Sequence, residues 1–390
     1  MANWICQLLP LLVSCCLSTS FKVQDYVPPH FNISLDMPPQ QRWEPVLRNY
    51  NATFLRETMY YIFDASIPKW VHVIILPITE LDLHFLVDEP YASEIVGIAK
   101  SLGINAGDVL ALNLAYEATA FCTSIIAQDE NGNIYHGRNL DYNFDDILRN
   151  LTVDLDFIKD GQIAYTGTTF LGYIGLWTGQ RPYVFTVSGD AREQDGKWWE
   201  NAISAFLKRS FPVSWLIRDT LNDARDFQSA VLQLSRMPII AETYYIIGGA
   251  KQKEGVVITR NRDGPDDIWP LDPLNGEWFH VETNYDHWTN PPPTDDRRTP
   301  AIKAMNATGQ ANINLDTLYK VLSVTPVLNK LPSMKLKSQI NVCISRSKTF
   351  HKGGTTITVN LQSITTQCET PATVLLFVLF SVTKEALDLK

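Results

Sequence analysis

Cysteine is scarce where a chain would need it for cross-linking. Six are present, but Cys6, Cys15 and Cys16 lie in the first twenty residues, and residues 21 to 342 contain only Cys122; Cys343 and Cys368 follow near the end. A disulfide framework is thereby excluded, and the isolated thiol raises the question of what it does. Metal-ligand spacings are missing too: neither H-E-x-x-H nor C-x-x-C occurs, and no cofactor is expected. The glycines at 167, 172, 175 and 179 are not followed by the G-K-[ST] of a phosphate loop. No G-x-S-x-G marks a serine hydrolase, which leaves His287 as a loop histidine. Long basic stretches are absent, the densest being Lys208-Arg209 and Arg297-Arg298 in a chain of formal net charge −9, so nucleic acid is excluded as the main partner. Past the first twenty residues no apolar run reaches the roughly 18 to 20 residues of a spanning helix. What remains is an ordinary globular composition: 390 residues, 45% hydrophobic and 19% charged, enough for one large layered core.

The apolar stretch Trp4 to Leu17, followed by the small residues Ser18 and Ser20, has the form of a secretory signal peptide over residues 1–20, although it lacks a basic n-region. A buried N-terminal helix is the alternative, disfavoured by Pro10 and Cys15-Cys16. Sequons at Asn32, Asn51, Asn150 and Asn306 agree with passage through the secretory pathway and mark glycosylation candidates. Residues 22 to 45 are Pro-rich and extended. From Trp43 to Tyr116 the pattern is helical. Asn51 to Asp64 is amphipathic, with Phe54, Met59, Ile62 and Phe63 on one flank, and Pro90 to Leu102 and Asn105 to Ala118 read as further helices. Val71 to Leu86 carries more apolar residues than one core-facing stripe needs. It fits either a central helix kinked at Pro77 or an apolar collar that meets lipid.

At Phe121 the period switches to two. Strands are expected on both sides of Asn131-Gly132, then over Leu151 to Ile158, Gln162 to Thr169 and Val184 to Ser188. Helices are expected over Trp198 to Lys208, Pro212 to Leu221 and Asp226 to Arg236, and strands again over Tyr244 to Gly248, Gly255 to Thr259 and Trp278 to Thr283. An all-helical N-terminal third joined to a hairpin-built sheet is of α+β class.

A two-residue turn at Asn131-Gly132 sets a register in which Cys122 faces Asp141, with Cβ atoms about 5 Å apart. A carboxylate alone would raise the thiol's pKa, so it must serve another group. An α-amino group on Cys122, freed by cutting the Phe121–Cys122 bond, would put nucleophile and base in one residue, with Asp141 orienting the ammonium. Strict alternation sends Arg138 to the other face, and it reaches the thiol only through a bulge, for which Gly137 is suited. A buried structural cysteine beside ordinary surface charges is the alternative. Phe170, Tyr173, Ile174 and Trp177 alternate with the four glycines, which suits tight sheet packing or the wall of an acyl-chain channel.

FCTSIIAQDENGNIYHGRNLDY resembles the processing site of the acid ceramidase and N-acylethanolamine acid amidase family. The resemblance continues through GTTFLGYIGLWTGQ, FTVSGD, WWENAI, VETNYDHW and DDRRTPAIKAMNATGQ, from about Trp43 to about Pro326. IYHGRNLDY and DIWPLDPLNG look nearer to the amidase branch. The resemblance implies an αββα N-terminal-nucleophile hydrolase, made as a precursor that cuts itself before its cysteine. Residues 21–121 would form a helical α subunit and residues 122–330 the β subunit. Carried over to this sequence, Cys122 is the nucleophile, Arg138 and Asp141 stand beside it, and Asn284 of VETNYDHW stabilises the oxyanion. Arg297 of DDRRTP lies in the same region and, with Tyr142 and Trp177, is a candidate for holding substrate.

Two departures stand out. Ala191 occupies the place where the family has an acidic residue tied to processing, with Glu193 two residues on. The tail, residues 331–390, lacks the Tyr-Thr-Thr strand that follows in the family, so a sheet edge is expected to be left unpaired. The implied activity is lysosomal hydrolysis of N-acylethanolamines to fatty acid and ethanolamine, at or near a membrane or anionic lipid surface. Ceramide hydrolysis, or lipid binding by a form defective in processing, are the alternatives.

Overall fold

The change of period at Phe121 is where the chain enters its sheets. The computed structural model describes residues 27–67, 69, 80–115, 121–142, 145–192, 209–328, 337–344, 348–352, 355–359 and 364–367. The leader, the segment Trp198 to Lys208, Glu193 and most of Val71 to Leu86 lie outside the described residues. The longer helices are α1 (Ala52–Ser66), α2 (Glu80–Leu86), α3 (Tyr91–Leu102), α4 (Ala106–Ala115), α5 (Asp145–Leu151), α6 (Val213–Asp223), α7 (Phe227–Arg236), α8 (Arg298–Thr308) and α9 (Leu315–Leu322), and a single turn precedes them at Glu44–Leu47. The strands are β1 (His30–Ser34), β2 (Phe121–Gln128), β3 (Ile134–Tyr142), β4 (Thr152–Lys159), β5 (Gln162–Phe170), β6 (Thr178–Arg181), β7 (Phe185–Ala191), β8 (Thr243–Gly249), β9 (Gly255–Arg260), β10 (Pro265–Pro270), β11 (Phe279–Glu282), β12 (Lys337–Ile344), β13 (Lys348–Lys352), β14 (Thr355–Val359) and β15 (Ile364–Gln367).

Eight strands form one sheet in the order β1-β4-β5-β6-β7-β8-β9-β10, and five form a second in the order β11-β2-β3-β12-β15. The alternation along β2 assigns the two faces of the smaller sheet. Ile126 turns inward and packs with Tyr244, Ile246 and Val257 of the larger sheet. Ile125 and Ala127 turn outward and pack with Ala301, Met305, Leu318 and Leu322 of α8 and α9. The far face of the larger sheet is covered by α6 and α7 and by the N-terminal helices, whose buried residues share one core with β4, β5 and β7. The layers therefore run helix, sheet, sheet, helix, an α+β arrangement.

Three expectations are corrected here. The N-terminal third is not all helical: β1 lies parallel to β4 at the edge of the larger sheet, where Ile33 is fully buried. The flank of α1 that faces the core is Leu55, Met59, Ile62 and Phe63, while Phe54 points out. The edge of β3 is not left open: β12 pairs antiparallel with it from Tyr135 to Tyr142, and β15 lies beyond. The glycines of the aromatic stretch serve close packing. A Cβ on Gly175 would lie 1.9 Å from the Ser214 hydroxyl, and one on Gly179 would lie 2.4 Å from Leu221.

The N-terminal part is fastened to the rest by a buried charge. Glu94 of α3 has no solvent exposure. It accepts two hydrogen bonds from Arg218 of α6 at 2.6 and 2.7 Å, one from the Trp43 indole at 2.8 Å and one from Arg42 at 3.1 Å. Burial raises the Glu94 pKa, but the Arg218 charge and these hydrogen bonds outweigh it and hold the group below the usual carboxylate range. Removing one member of such a network strands the other charge away from water. Glu94→Ala is expected to cost about 3–5 kcal/mol of folding stability, read as a lower urea midpoint. A loss below about 1 kcal/mol would show that Arg218 finds water or another acceptor.

Candidate active site

The hairpin that carries Cys122 closes over three residues, Glu130-Asn131-Gly132, and not over two. The Asp129 amide donates to the Asn133 carbonyl at 3.0 Å, and the Asp129 carboxylate accepts the amides of Asn131 and Asn133 at 2.9 and 2.8 Å. Gly132 takes φ +79°, a left-handed conformation that suits glycine. This shifts the expected register by one residue. Cys122 faces Leu140, Ser124 faces Arg138, and Asp141 faces Phe121. A one-residue shift exchanges the faces. Arg138 therefore comes to the thiol by plain alternation, without a bulge, and Asp141 falls on the other face, opposite the residue that precedes Cys122.

Cys122 is fully buried on the inner face. Arg138 donates to its sulfur at 2.8 Å, and also to the Trp177 carbonyl at 2.8 Å and the Thr178 hydroxyl at 3.1 Å. Asp190, also fully buried, lies 3.3 Å from the Arg138 guanidinium and accepts the Ser124 hydroxyl at 2.8 Å. The polar row continues inward from Ser124 to Ser188 at 3.0 Å and from Ser188 to His136 at 2.9 Å. Burial pushes the Cys122 thiol up to about 12 against the pull of Arg138, with Asp190 and Asp141 adding to the rise. Burial likewise raises Asp190 to about 6, opposed by Arg138. His136 is brought down to about 3 by burial and by the Arg138 charge, so it is neutral.

The backbone of Cys122 is held from the other side. Its amide donates to Asn284 Oδ1 at 2.7 Å, and Arg297 donates to the same oxygen at 2.7 Å and to the Cys122 carbonyl. The Asn284 side-chain amide donates to the Ala191 carbonyl at 2.7 Å. In this intact chain Asn284 therefore acts on the Cys122 nitrogen as an acceptor, and its donor group is occupied. The loop that carries it is anchored by Asp286, which accepts from the Tyr244 hydroxyl at 2.7 Å and from Arg192 at 2.8 Å.

Of the residues expected at the site, Cys122, Arg138, Asn284 and Arg297 are brought together. Trp177 contributes its carbonyl, while its indole is packed away and donates to Tyr173 at 2.9 Å. The backbone of Tyr142 pairs with Lys337; its side chain lies outside what is described. His287 stacks on Trp269 with ring centroids 4.1 Å apart and stays a loop residue. The sequence reading missed Asp190 and Ser124. The signal was available in FTVSGD, where alternation puts Ser188 and Asp190 on one face of a strand otherwise fit for burial.

Comparison with known proteins agrees with this geometry. A family profile described as the beta subunit of N-acylethanolamine-hydrolyzing acid amidase matches residues 27–85. A profile described as linear amide C–N hydrolases, choloylglycine hydrolase family, matches residues 122–311. The chain is 58% identical over 304 residues to the N-acylethanolamine-hydrolyzing acid amidase of Cavia porcellus, covering 78% of this chain and 85% of that one. It is 36% identical over 322 residues to the acid ceramidase of Bos taurus, covering 78% and 81%. A solved structure of the Caenorhabditis elegans N-acylethanolamine-hydrolyzing acid amidase ortholog superposes with a TM-score of 0.52 at 40% identity, covering 57% of this chain and 93% of that one. At these identities and coverages the chain belongs to the N-acylethanolamine-hydrolyzing acid amidase family, and the hydrolysis of a linear amide is what a lone thiol between Arg138 and Asn284 is equipped to perform.

Proposed function

We propose that the chain is a precursor that cuts its own Phe121–Cys122 bond and then hydrolyses N-acylethanolamines to fatty acid and ethanolamine in the lysosome. The observation that carries this reading is the double grip on Cys122, with Arg138 on its sulfur and Asn284 on its nitrogen. A structural cysteine needs neither. The amide-hydrolase profile also begins at residue 122, in support of a new N-terminus there. Identity is higher to the Cavia porcellus amidase than to the Bos taurus ceramidase, which favours ethanolamides over ceramide.

In self-cleavage the Cys122 sulfur attacks the Phe121 carbonyl carbon. The bond to the Cys122 nitrogen breaks, and a thioester to Phe121 forms. The thiol proton passes to Asp190 and from there to the departing nitrogen. Water hydrolyses the thioester, leaving a carboxylate on Phe121 and an amine on Cys122. In turnover that amine takes the thiol proton, oriented by Asn284 Oδ1, and Asp141 supplies negative charge beside it. The thiolate attacks the substrate amide. The oxyanion is held by backbone N–H groups and by the Asn284 amide once it leaves the Ala191 carbonyl; one such donor contributes about 3 kcal/mol. The ammonium protonates the leaving ethanolamine, and water releases the fatty acid.

All four sequon asparagines, Asn32, Asn51, Asn150 and Asn306, are exposed, which supports a glycosylated, secretory-pathway protein. Among the described residues, Phe54, Tyr60 and Tyr61 of α1 and Phe85 of α2 are large side chains left in solvent, which supports peripheral contact with a lipid surface.

Expressed protein is expected to run as two fragments on denaturing gels, the larger beginning Cys-Thr-Ser by Edman sequencing, whereas Cys122→Ala stays uncut and inactive. Any other N-terminus, or a single active band, rejects the mechanism. Phe85→Ser is expected to weaken vesicle binding and slow turnover of membrane-held substrate, while a short soluble amide is cleaved at the wild-type rate. Equal losses on both substrates would remove the lipid-contact role.

A further inference from the structure

Glu282 is a buried carboxyl beside the site that the chemistry above does not use. It ends β11 and pairs with Ser124 across the ladder, so it shares the inner face with Cys122, Ser124 and Arg138. It has no solvent exposure. One of its oxygens accepts the amide of Thr283 at 2.9 Å; the other, Oε2, has no hydrogen-bond partner among the described residues. Asp190 is in the same condition. Its Oδ1 takes the Ser124 hydroxyl, and its Oδ2 has no partner among the described residues. Two buried carboxyls thus lie beside one serine, each with one oxygen that has no hydrogen-bond partner among the described residues. Buried acceptors of this kind are rarely left empty, and a shared proton removes both deficits.

The surrounding charges favour that proton on the glutamate. Glu282 is faced by Asp190 from β7, Tyr244 from β8, Arg298 from α8 and Asp286 from the loop after β11. Asp190 is faced by Arg138, Arg297 and the Cys122 thiol. The two arginines that stabilise an anion therefore lie at Asp190, with Arg138 in contact at 3.3 Å. Burial raises the Glu282 pKa well above the ordinary carboxyl range, and the Asp190 charge adds to the rise.

We propose that Glu282 is a positioning residue that keeps its proton and donates it in a hydrogen bond to Asp190 Oδ2, which favours the Asp190 anion facing Arg138 and the thiol. Resting on the amidase reading, this makes the site an acid-side device. A carboxyl whose folded pKa is raised holds its proton at low pH, and its contribution is lost as pH rises through the raised value. Ionised Glu282 would then place a second negative charge beside the nucleophile.

The test uses the full chain, wild type against Glu282→Gln and Glu282→Ala. Gln keeps the size and an N–H donor but cannot ionise. It is expected to hold kcat at the acid optimum within about threefold of wild type and to move the alkaline limb of the kcat profile upward by about a unit or more. Ala leaves Asp190 Oδ2 without that donor, and kcat is expected to fall by about ten- to a hundredfold with KM little changed. Without any substrate, infrared spectra of the wild type are expected to show the C=O stretch of a protonated carboxylic acid persisting to neutral pH, and Glu282→Gln to lack it. A wild type without that band at neutral pH overturns the proposal, whatever the variants do. An unmoved alkaline limb in Glu282→Gln overturns it as well. A wild type with the band but no hydrolysis of N-acylethanolamines supports the shared proton and rejects the amidase reading instead.

Discussion

Asp129 gathers the amides of Asn131 and Asn133 on one carboxylate, and the loop it closes has an odd number of residues. Side chains alternate faces along a strand, so that count decides which residues of β3 share a face with Cys122. With it, Arg138 reaches the sulfur and the Trp177 carbonyl at once, and Asp190 and Ser188 of β7 meet Ser124 from the facing sheet. With an even loop the guanidinium would point into the helices behind the sheet, among Leu318 and Leu322 and away from Cys122. The site is thus positioned by backbone hydrogen bonds at a turn some distance from the chemistry.

The arrangement is expensive to fold. Arg138 and Arg297 are both almost fully buried, as are Asp190 and Asp141, and desolvating each charge opposes stability unless a partner compensates. Arg138 has the thiol, Asp190, a carbonyl and a hydroxyl; Arg297 has Asp295, Asn284 and the Cys122 carbonyl. Such a set is fixed before any substrate arrives, which is the condition for electrostatic stabilisation without reorganisation. The same burial keeps the thiol protonated in the intact chain. The proposed self-cleavage would turn the nitrogen of the same residue, already gripped by Asn284, into a base beside the sulfur.

Much of the layout can be read from sequence. The switch of period at Phe121 marks the start of the sheets, and α3, β5, β8 and β9 begin within a residue or two of where pattern and turn chemistry put them. The lone cysteine points to itself. What the sequence conceals is long-range. β1 is short and Pro-flanked, and only its parallel pairing with β4, more than a hundred residues away, makes it a strand. The choice between a two- and a three-residue turn at Asn131-Gly132 depends on whether Asp129 caps the loop, and both options share the same dipeptide. Asp190 looks like one more strand-end aspartate until β7 is laid against β2, where it meets Ser124. Asn284 and Arg297 carry no local mark in the sequence, and only folding explains them, because both hold the backbone of a residue far away in sequence.

The edge of β3 is a socket. β12 fills it by main-chain pairing from Tyr135 to Tyr142, and a ladder of N–H and C=O groups asks little of the side chains that bring it. The other neighbour, β2, holds the nucleophile. Main-chain pairing along β12 is therefore enough to keep the edge of the nucleophile's sheet from standing open.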